Sequence, residues 1–182
     1  MLDSNFKFSI TKLRDIEGIG EDHEDLGGET FYGIVRKYHE NKFHTWPPVW
    51  DTEPNWALYG SHDKYTTVQE FYLHEFWLAL DCDKLPFNIA DQLFMFGVNA
   101  GVGDGKTILQ RAISACNYKR LKIDGDWGPK TMEALGRCSP RELHIALISQ
   151  IEGHYRQEVA RKPSQAKFIE GWINRRVYGE GL

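Results

Sequence analysis

The sequence predicts a mainly α-helical fold with a short β-ribbon or glycine-rich loop, on three observations. Apolar residues recur at spacings of three and four along most of the 182 residues. Helix-start signals precede many of these stretches, and glycine or proline closes them. Glycines and carboxylates crowd together at residues 17–34, where the helical spacing breaks off. With 41% hydrophobic and 13% aromatic content, the chain has enough apolar side chains for a core in one domain or two small ones.

Phe6, Ile10 and Leu13 fall at i, i+4, i+7 and Ile16 comes three on, so a first helix reaches Glu17 and ends at Gly18 and Gly20. Thr67 with Glu70 makes a capping box ahead of an apolar face of Leu73, Phe76, Trp77 and Leu80. Asn88 is placed to cap a helix through Leu93, Phe94 and Val98 that stops near Asn99 and Gly101. Ile108, Leu109, Ala112 and Ile113 mark the next helix, with a glycine-rich turn over 101–107 between the two. Gly128-Pro129 starts a short helix, since proline suits the first helical position. Ser139-Pro140-Arg141-Glu142 combines a cap, a proline and a capping-box acid before a long helix carrying Leu143, Leu147, Ile151 and Tyr155. Phe168, Ile169, Trp172 and Ile173 mark the last.

Between Tyr38 and Thr66 the prolines of Trp46-Pro47-Pro48 and Glu53-Pro54 forbid a long helix, while Trp46, Trp50, Trp56 and Tyr59 favour an ordered loop. These aromatics either pin the loop to the body or line a sugar groove, because the flat apolar face of a pyranose packs on an aromatic ring. The net charge of -4, with Lys and Arg only singly or in pairs, gives no footprint for nucleic acid. Three cysteines, Cys82, Cys116 and Cys138, form no close pair in sequence, so they indicate neither a zinc site nor a disulfide framework and read as small core residues of a reducing compartment. No basic segment leads into an apolar run at the N-terminus, and eighteen consecutive apolar residues occur nowhere, so neither a classical export signal nor a membrane anchor is expected.

Chemistry is expected at Glu17. A carboxyl in the last helical turn feels the negative end of the helix dipole, which favours the protonated acid and raises its pKa, as a general acid requires near neutral pH. The plain structural alternative is a helix end leading into a solvated acidic turn. Other chemistries lack their patterns. His74-Glu75 runs on to Leu78 where a zinc protease needs a second histidine, and no Gly-x-Ser-x-Gly elbow exists. Only three residues separate Gly101 from Gly105, one too few for a phosphate loop. No cofactor and no metal site is implied.

The stretch Glu17-Gly18-Ile19, with Asp25-Leu26-Gly27-Gly28-Glu29-Thr30-Phe31-Tyr32-Gly33-Ile34 beyond it, resembles the signature of glycoside hydrolase family 108, the phage and bacterial N-acetylmuramidases. Ile19 stands where the family has a second glycine and Leu26 where it has proline. Residues 70–101 are similar to the family's tyrosine-tryptophan helix, Leu-Pro turn and Phe-x-x-x-Val-Asn-x-Gly segment. LQRA at 109–112, DGDWGPKT at 124–131 and KFIEGWINRR at 167–176 resemble a peptidoglycan-binding helical module.

The resemblance implies a lysozyme-like helical body, with a catalytic segment over 1–85 and a helical peptidoglycan-binding module over 86–182 packed with it as one body. It implies hydrolysis of the glycosidic bond after N-acetylmuramic acid by a monomer acting on peptidoglycan glycan strands, with Glu17 as acid, Asp25 as transition-state stabiliser or base, and Thr30 holding water. Glu29 and Asp22 stand behind Asp25. Gly27, Gly28 and Tyr32 are assigned to substrate, although the glycines equally suit a tight hairpin turn. Asn99 contacts N-acetyl groups or caps its helix. Asp124 and Trp127 belong to the module's motif, where Asp124 can also tie a turn. The implied role is that of an endolysin, made in the host cytoplasm and released by a holin or another route. A cell-wall toxin delivered to rivals, or a wall-binding protein without turnover, are the competing roles.

Overall fold

The computed structural model describes residues 4–17, 29–50, 64–117 and 121–176. Among them are eight α-helices and one two-stranded antiparallel sheet, so the mainly α expectation holds. The chain divides into two compact units, Met1–Ala79 and Leu80–Leu182. Among the described residues, no helix is long and apolar enough to cross a membrane.

In the first unit, α1 (Ser4–Glu17) buries Phe6, Ile10 and Leu13, the three positions its periodicity selects. Gly18 and Gly20 lie outside the described residues. The hairpin β1 (Thr30–Phe31) and β2 (Ile34–Val35) pairs Thr30 with Val35 and Phe31 with Ile34. Its two turn residues, Tyr32 and Gly33, have φ of 48° and 77°, the pair of positive angles that a two-residue turn needs to match strand twist. Glycine adopts this freely, whereas Tyr32 needs external support. The chain continues through α2 (Arg36–His39) and a 3-10 turn, Glu40–Lys42.

Two parallel bridges, Phe43 to Tyr65 and Val49 to Thr67, then tie the residues on either side of the aromatic loop. Trp56 and Tyr59 of that loop lie outside the described residues. The helix α3 (Val68–Tyr72) begins on the expected capping box, complete in both directions: Glu70 N–H donates to Thr67 Oγ1 at 3.1 Å, and Glu70 Oε2 accepts from Thr67 N–H at 3.0 Å. The next six residues depart from a continuous α-helix, because Leu73–Leu78 is a π-helix. Its wider turn carries about 4.4 residues, so residues four apart stack almost in line. Leu73 and Trp77 are both fully buried, Leu78 is exposed, and Trp77 meets Phe6 of α1 edge to face at 5.5 Å.

The second unit is built on α4 (Phe87–Ala100), α5 (Val102–Asn117) and α7 (Pro140–Arg161), which pack on one another, with α6 (Pro129–Leu135) and α8 (Ile169–Arg176) added. Every residue of α4 from Ile89 to Gly97 is buried, as expected of a helix with neighbours on more than one side. Leu143, Leu147, Ile151 and Tyr155 form the inward stripe of α7. Three local expectations are corrected. Pro86 caps α4 through its carbonyl, which accepts from Ile89 and Ala90 N–H, and Asn88 lies exposed inside the first turn. The run 101–107 is a turn only at Gly101, and Val102 onward is helix. Ser139 occupies the N-cap of α7 but makes no side-chain cap bond, its proline neighbour setting the helical entry instead.

Gly97 and Gly105 mark a close contact of α4 and α5 with Leu80. A Cβ on Gly97 would lie 2.5 Å from Leu80 Cδ1, and one on Gly105 would lie 2.8 Å from Leu80 Cδ2 and 3.7 Å from Gly97 Cα. The two glycines thus open the notch that the fully buried Leu80 fills. Alanine ordinarily gains up to about 1 kcal/mol over glycine inside a helix. At Gly97 the clash outweighs that gain, because Leu80 has no room to move, and Gly97→Ala is expected to lower stability by about 1–2 kcal/mol. Gly153→Ala in α7, where a Cβ meets nothing within 4 Å, should instead raise it by about 0.5–1 kcal/mol. Denaturant titration of the two variants checks the opposite signs.

Candidate active site

Glu17 is the last residue of α1, where the helical periodicity puts it. One turn earlier, the Arg14 guanidinium lies over the Trp50 ring, 5.6 Å from its centroid, and Trp50 packs on Tyr32 at the hairpin tip, 4.9 Å between centroids. The end of α1, the hairpin and the aromatic segment therefore meet at one place within the first unit. Tyr32 is held in its unusual conformation from both sides: Tyr72 Oη donates to its carbonyl at 2.8 Å, and Phe31 meets its ring edge on at 4.7 Å. Thr30 and its partner Val35 occupy the hairpin face opposite the buried Ile34, and both are half-buried. Asp22, Asp25, Gly27 and Gly28 lie outside the described residues.

Glu29 has a different employment. Its Oε2 accepts from Arg36 Nη1 at 2.8 Å, its Oε1 from Trp46 Nε1 at 3.0 Å, and its carbonyl from Arg36 N–H at 2.9 Å. Both carboxylate oxygens are thus engaged, and the side chain clamps the base of the hairpin to the aromatic segment. Arg36 also donates to Glu40 Oε1 at 2.8 Å; this bond holds Glu40 below the usual carboxylate range, while the two carboxylates raise the Arg36 pKa. Trp46 is a pin, whereas Trp50 stands at the hairpin tip, a division of labour that composition could not draw.

A second polar cluster, which no sequence motif announces, surrounds Glu75. Lys42 Nζ donates to Oε2 at 2.5 Å and Tyr65 Oη to Oε1 at 2.8 Å. Burial pushes the Glu75 carboxyl up, but these two hydrogen bonds and the positive Lys42 together bring it below its ordinary value. An anion so stabilised is no proton donor at neutral pH. Burial, and after it the adjacent Glu75, raises the Tyr65 phenol. The only hint in sequence is a glutamate within the aromatic run EFYLHEFW.

In the second unit, Asp124 and Trp127 come together around Gln110, a residue that carries no motif. Gln110 of α5 is completely buried. Its Oε1 accepts from Asp124 N–H at 3.0 Å and Gly125 N–H at 2.9 Å, and its Nε2 donates to Asp124 Oδ1 at 3.1 Å and the Asp126 carbonyl at 2.9 Å. Trp127 Nε1 donates to the Lys106 carbonyl at 3.1 Å, and the Lys106 ammonium lies 6.0 Å from the centre of the indole ring. Asn99, at the far end of α4, donates from Nδ2 to Tyr155 Oη of α7 at 3.1 Å and does not join this cluster. A glutamine amid Ile108, Leu109, Ala112 and Ile113 carries no warning of such a role, since most glutamines are exposed.

The Gln110 bond first, then the Asp126 N–H and Lys122, hold the Asp124 carboxyl at about 2 against an ordinary 3.8. A depressed pKa makes the carboxylate's contribution to stability complete above about pH 4, and that contribution disappears as pH falls toward about 2. Asp124→Asn is expected to flatten this part of the acid-unfolding curve and to lower stability at neutral pH. Melting midpoints measured from pH 2 to 7 check it, and parallel curves for the two proteins would show that Asp124 is not so coupled.

Two family models match the chain: glycosyl hydrolase 108 over residues 10–101 and a predicted peptidoglycan domain over residues 104–177. The junction between the two matches falls between α4 and α5, whereas packing assigns α4 to the second unit. No curated protein matches the chain. Among solved structures, SagA of Brucella abortus has a similar fold, with a TM-score of 0.60 at 16% identity over 97% of this chain and 98% of that one. With half of its length matched by the hydrolase model and most of the remainder by the peptidoglycan domain, the chain belongs to glycosyl hydrolase family 108 and is a glycoside hydrolase acting on peptidoglycan.

Proposed function

We propose that the protein is an N-acetylmuramidase that cleaves the bond after N-acetylmuramic acid, acts as a monomer, and serves as an endolysin released from the host cytoplasm to the cell wall. The observation that carries the bond specificity is the extent of the hydrolase match, which spans the end of α1 and the whole hairpin, together with the likeness of residues 17–34 to the muramidase signature. Glu17 protonates the leaving oxygen, since a sugar alkoxide departs poorly. Asp25 stabilises the oxocarbenium-like transition state or activates water, and Thr30 orients that water. The engagement of both Glu29 oxygens favours Asp25 over Glu29 for this role. Trp50, beside the hairpin tip, offers the ring on which a pyranose packs. Gly27, Gly28 and Tyr32 shape the sugar subsite, Asn99 contacts the substrate's N-acetyl groups or caps its helix, and Asp124 and Trp127 serve the wall-binding module. Residues 1–85 carry the catalysis, and 86–182 bind the wall in concert with them.

Purified protein is expected to lyse permeabilised Gram-negative cells and to release fragments ending in reducing N-acetylmuramic acid, identified by mass spectrometry. Fragments ending in reducing N-acetylglucosamine, or freed peptide stems, would assign another bond. Glu17→Gln should abolish turnover while leaving the melting midpoint near wild type. Asp25→Asn should cost on the order of a hundredfold or more in turnover, and Thr30→Ala less. Near-normal turnover in Asp25→Asn would move the second role to another carboxylate.

A further inference from the structure

In the second unit, a ladder of aromatic rings runs from the core to the surface. Phe96 of α4 meets Tyr155 of α7 edge to face at 5.8 Å, and both are buried. Trp172 of α8 packs on Tyr155 at 5.4 Å. Phe168, the last residue of the 3-10 turn Pro163–Phe168, stacks on Trp172 at 6.0 Å with the two planes 27° apart. It ends the ladder 48% exposed, and the Lys167 ammonium lies over its ring, 4.8 Å from the centroid. A ring that meets an exposed ammonium is open to a ligand from solvent.

The same segment is basic. Residues 161–176 carry five basic side chains and one acidic, in a chain whose net charge is -4. Arg161 is paired with Glu158 at 2.8 Å, whereas, among the described residues, neither Lys162 nor Lys167 pairs with a carboxylate, and both are exposed. By contrast, the Asp124 carboxylate is engaged by Gln110, the Asp126 N–H and Lys122, and Trp127 Nε1 by the Lys106 carbonyl. Those residues build the module from within, and an outward-facing aromatic ring with free cations beside it lies at Phe168.

We propose that Phe168 and Trp172, with Lys162 and Lys167, form a wall-binding subsite that takes a peptidoglycan strand through one sugar ring and the carboxylates of its stem peptides. The apolar face of a pyranose packs on the Phe168 ring, which Trp172 backs. The Lys167 ammonium moves from the ring to a stem carboxylate, exchanging a cation–π contact for a charge-assisted hydrogen bond. Lys162, where α7 ends, meets a second carboxylate. Charge selects this occupant: a bare neutral glycan offers the two lysines no partner, whereas a peptide-bearing strand supplies both a flat apolar ring and anions. The inference rests on the reading of residues 86–182 as the wall-binding module and is independent of which glycosidic bond is cut.

The test uses the full chain carrying Glu17→Gln, so that the wall is not consumed, and measures co-sedimentation with purified Gram-negative sacculi at about 50 mM and about 500 mM salt. Phe168→Leu keeps an apolar side chain against Trp172 but has no flat face, and it should weaken binding about tenfold at both salt concentrations. Phe168→Tyr should bind as the parent does. Lys162→Gln combined with Lys167→Gln should weaken binding at low salt and flatten its salt dependence. Both lysines are exposed, so this variant tests the subsite even where Phe168→Leu shifts the melting midpoint. Undiminished binding in Phe168→Leu, weakened binding in Phe168→Tyr, or an unchanged salt dependence in the lysine variant would each overturn the proposal. Wall fragments are identified separately on protein with Glu17 intact. Reducing N-acetylmuramic acid ends together with undiminished binding in the variants refute the subsite alone, and weakened binding together with other fragments refutes the muramidase alone.

Discussion

The buried amide of Gln110 is the interaction on which the second unit's irregular segment depends. A turn that carries its own unsatisfied backbone donors and acceptors against a helix costs more free energy than the turn's few contacts return. Gln110 meets this constraint with one side chain, its oxygen accepting from two backbone N–H groups and its nitrogen donating to a carboxylate and a carbonyl. The same contacts place Trp127 where its indole reaches the Lys106 carbonyl, and they bring the Thr131 hydroxyl within 3.5 Å of the Asp126 carbonyl at the start of α6. Asp124 is ionised far below the ordinary range because it belongs to this network.

The first unit meets the same constraint with carboxylates. Glu70 closes the capping box and also accepts from Thr66 N–H and Oγ1, so a single buried group organises the chain's entry into α3. Glu29 does the corresponding work for the hairpin, joining Arg36 and Trp46. Glu75 does it for Lys42 and Tyr65. Each of these carboxylates is an acceptor tied to specific donors. A proton-donating carboxyl needs the reverse surroundings, and this distinction separates structural from catalytic acids in a chain rich in both.

Aromatic packing supplies the rigid frame for these polar groups. Phe43 stacks on Phe71 at 5.5 Å and meets Trp46 at 5.8 Å, so the residues that bring Trp46 to Glu29 are themselves anchored in the core. Tyr72 then donates to the strained hairpin turn. The π-helical stretch after α3 keeps Leu73 and Trp77 inward while Glu75 faces Lys42, an arrangement that the wider turn accommodates. In the second unit, the same role falls to shape: two glycines and one leucine set how closely α4 and α5 approach.

Helices with a single apolar stripe were legible in the sequence, because the 3.6-residue period is a property of the local backbone. Phe6, Ile10 and Leu13 in α1, and Leu143, Leu147, Ile151 and Tyr155 in α7, are buried as their spacing dictates. The Thr67–Glu70 capping box and the proline starts of α6 and α7 were legible for the same reason. The family, too, was carried by short ordered motifs. Tertiary structure alone decided the rest. Gln110 and its turn, Glu29 and Trp46, and Glu75 and Lys42 are each separated by more than ten residues and joined by side chains. Neither propensity nor periodicity encodes such pairs, since their energy arises only when packing removes water and leaves each polar group one partner to find.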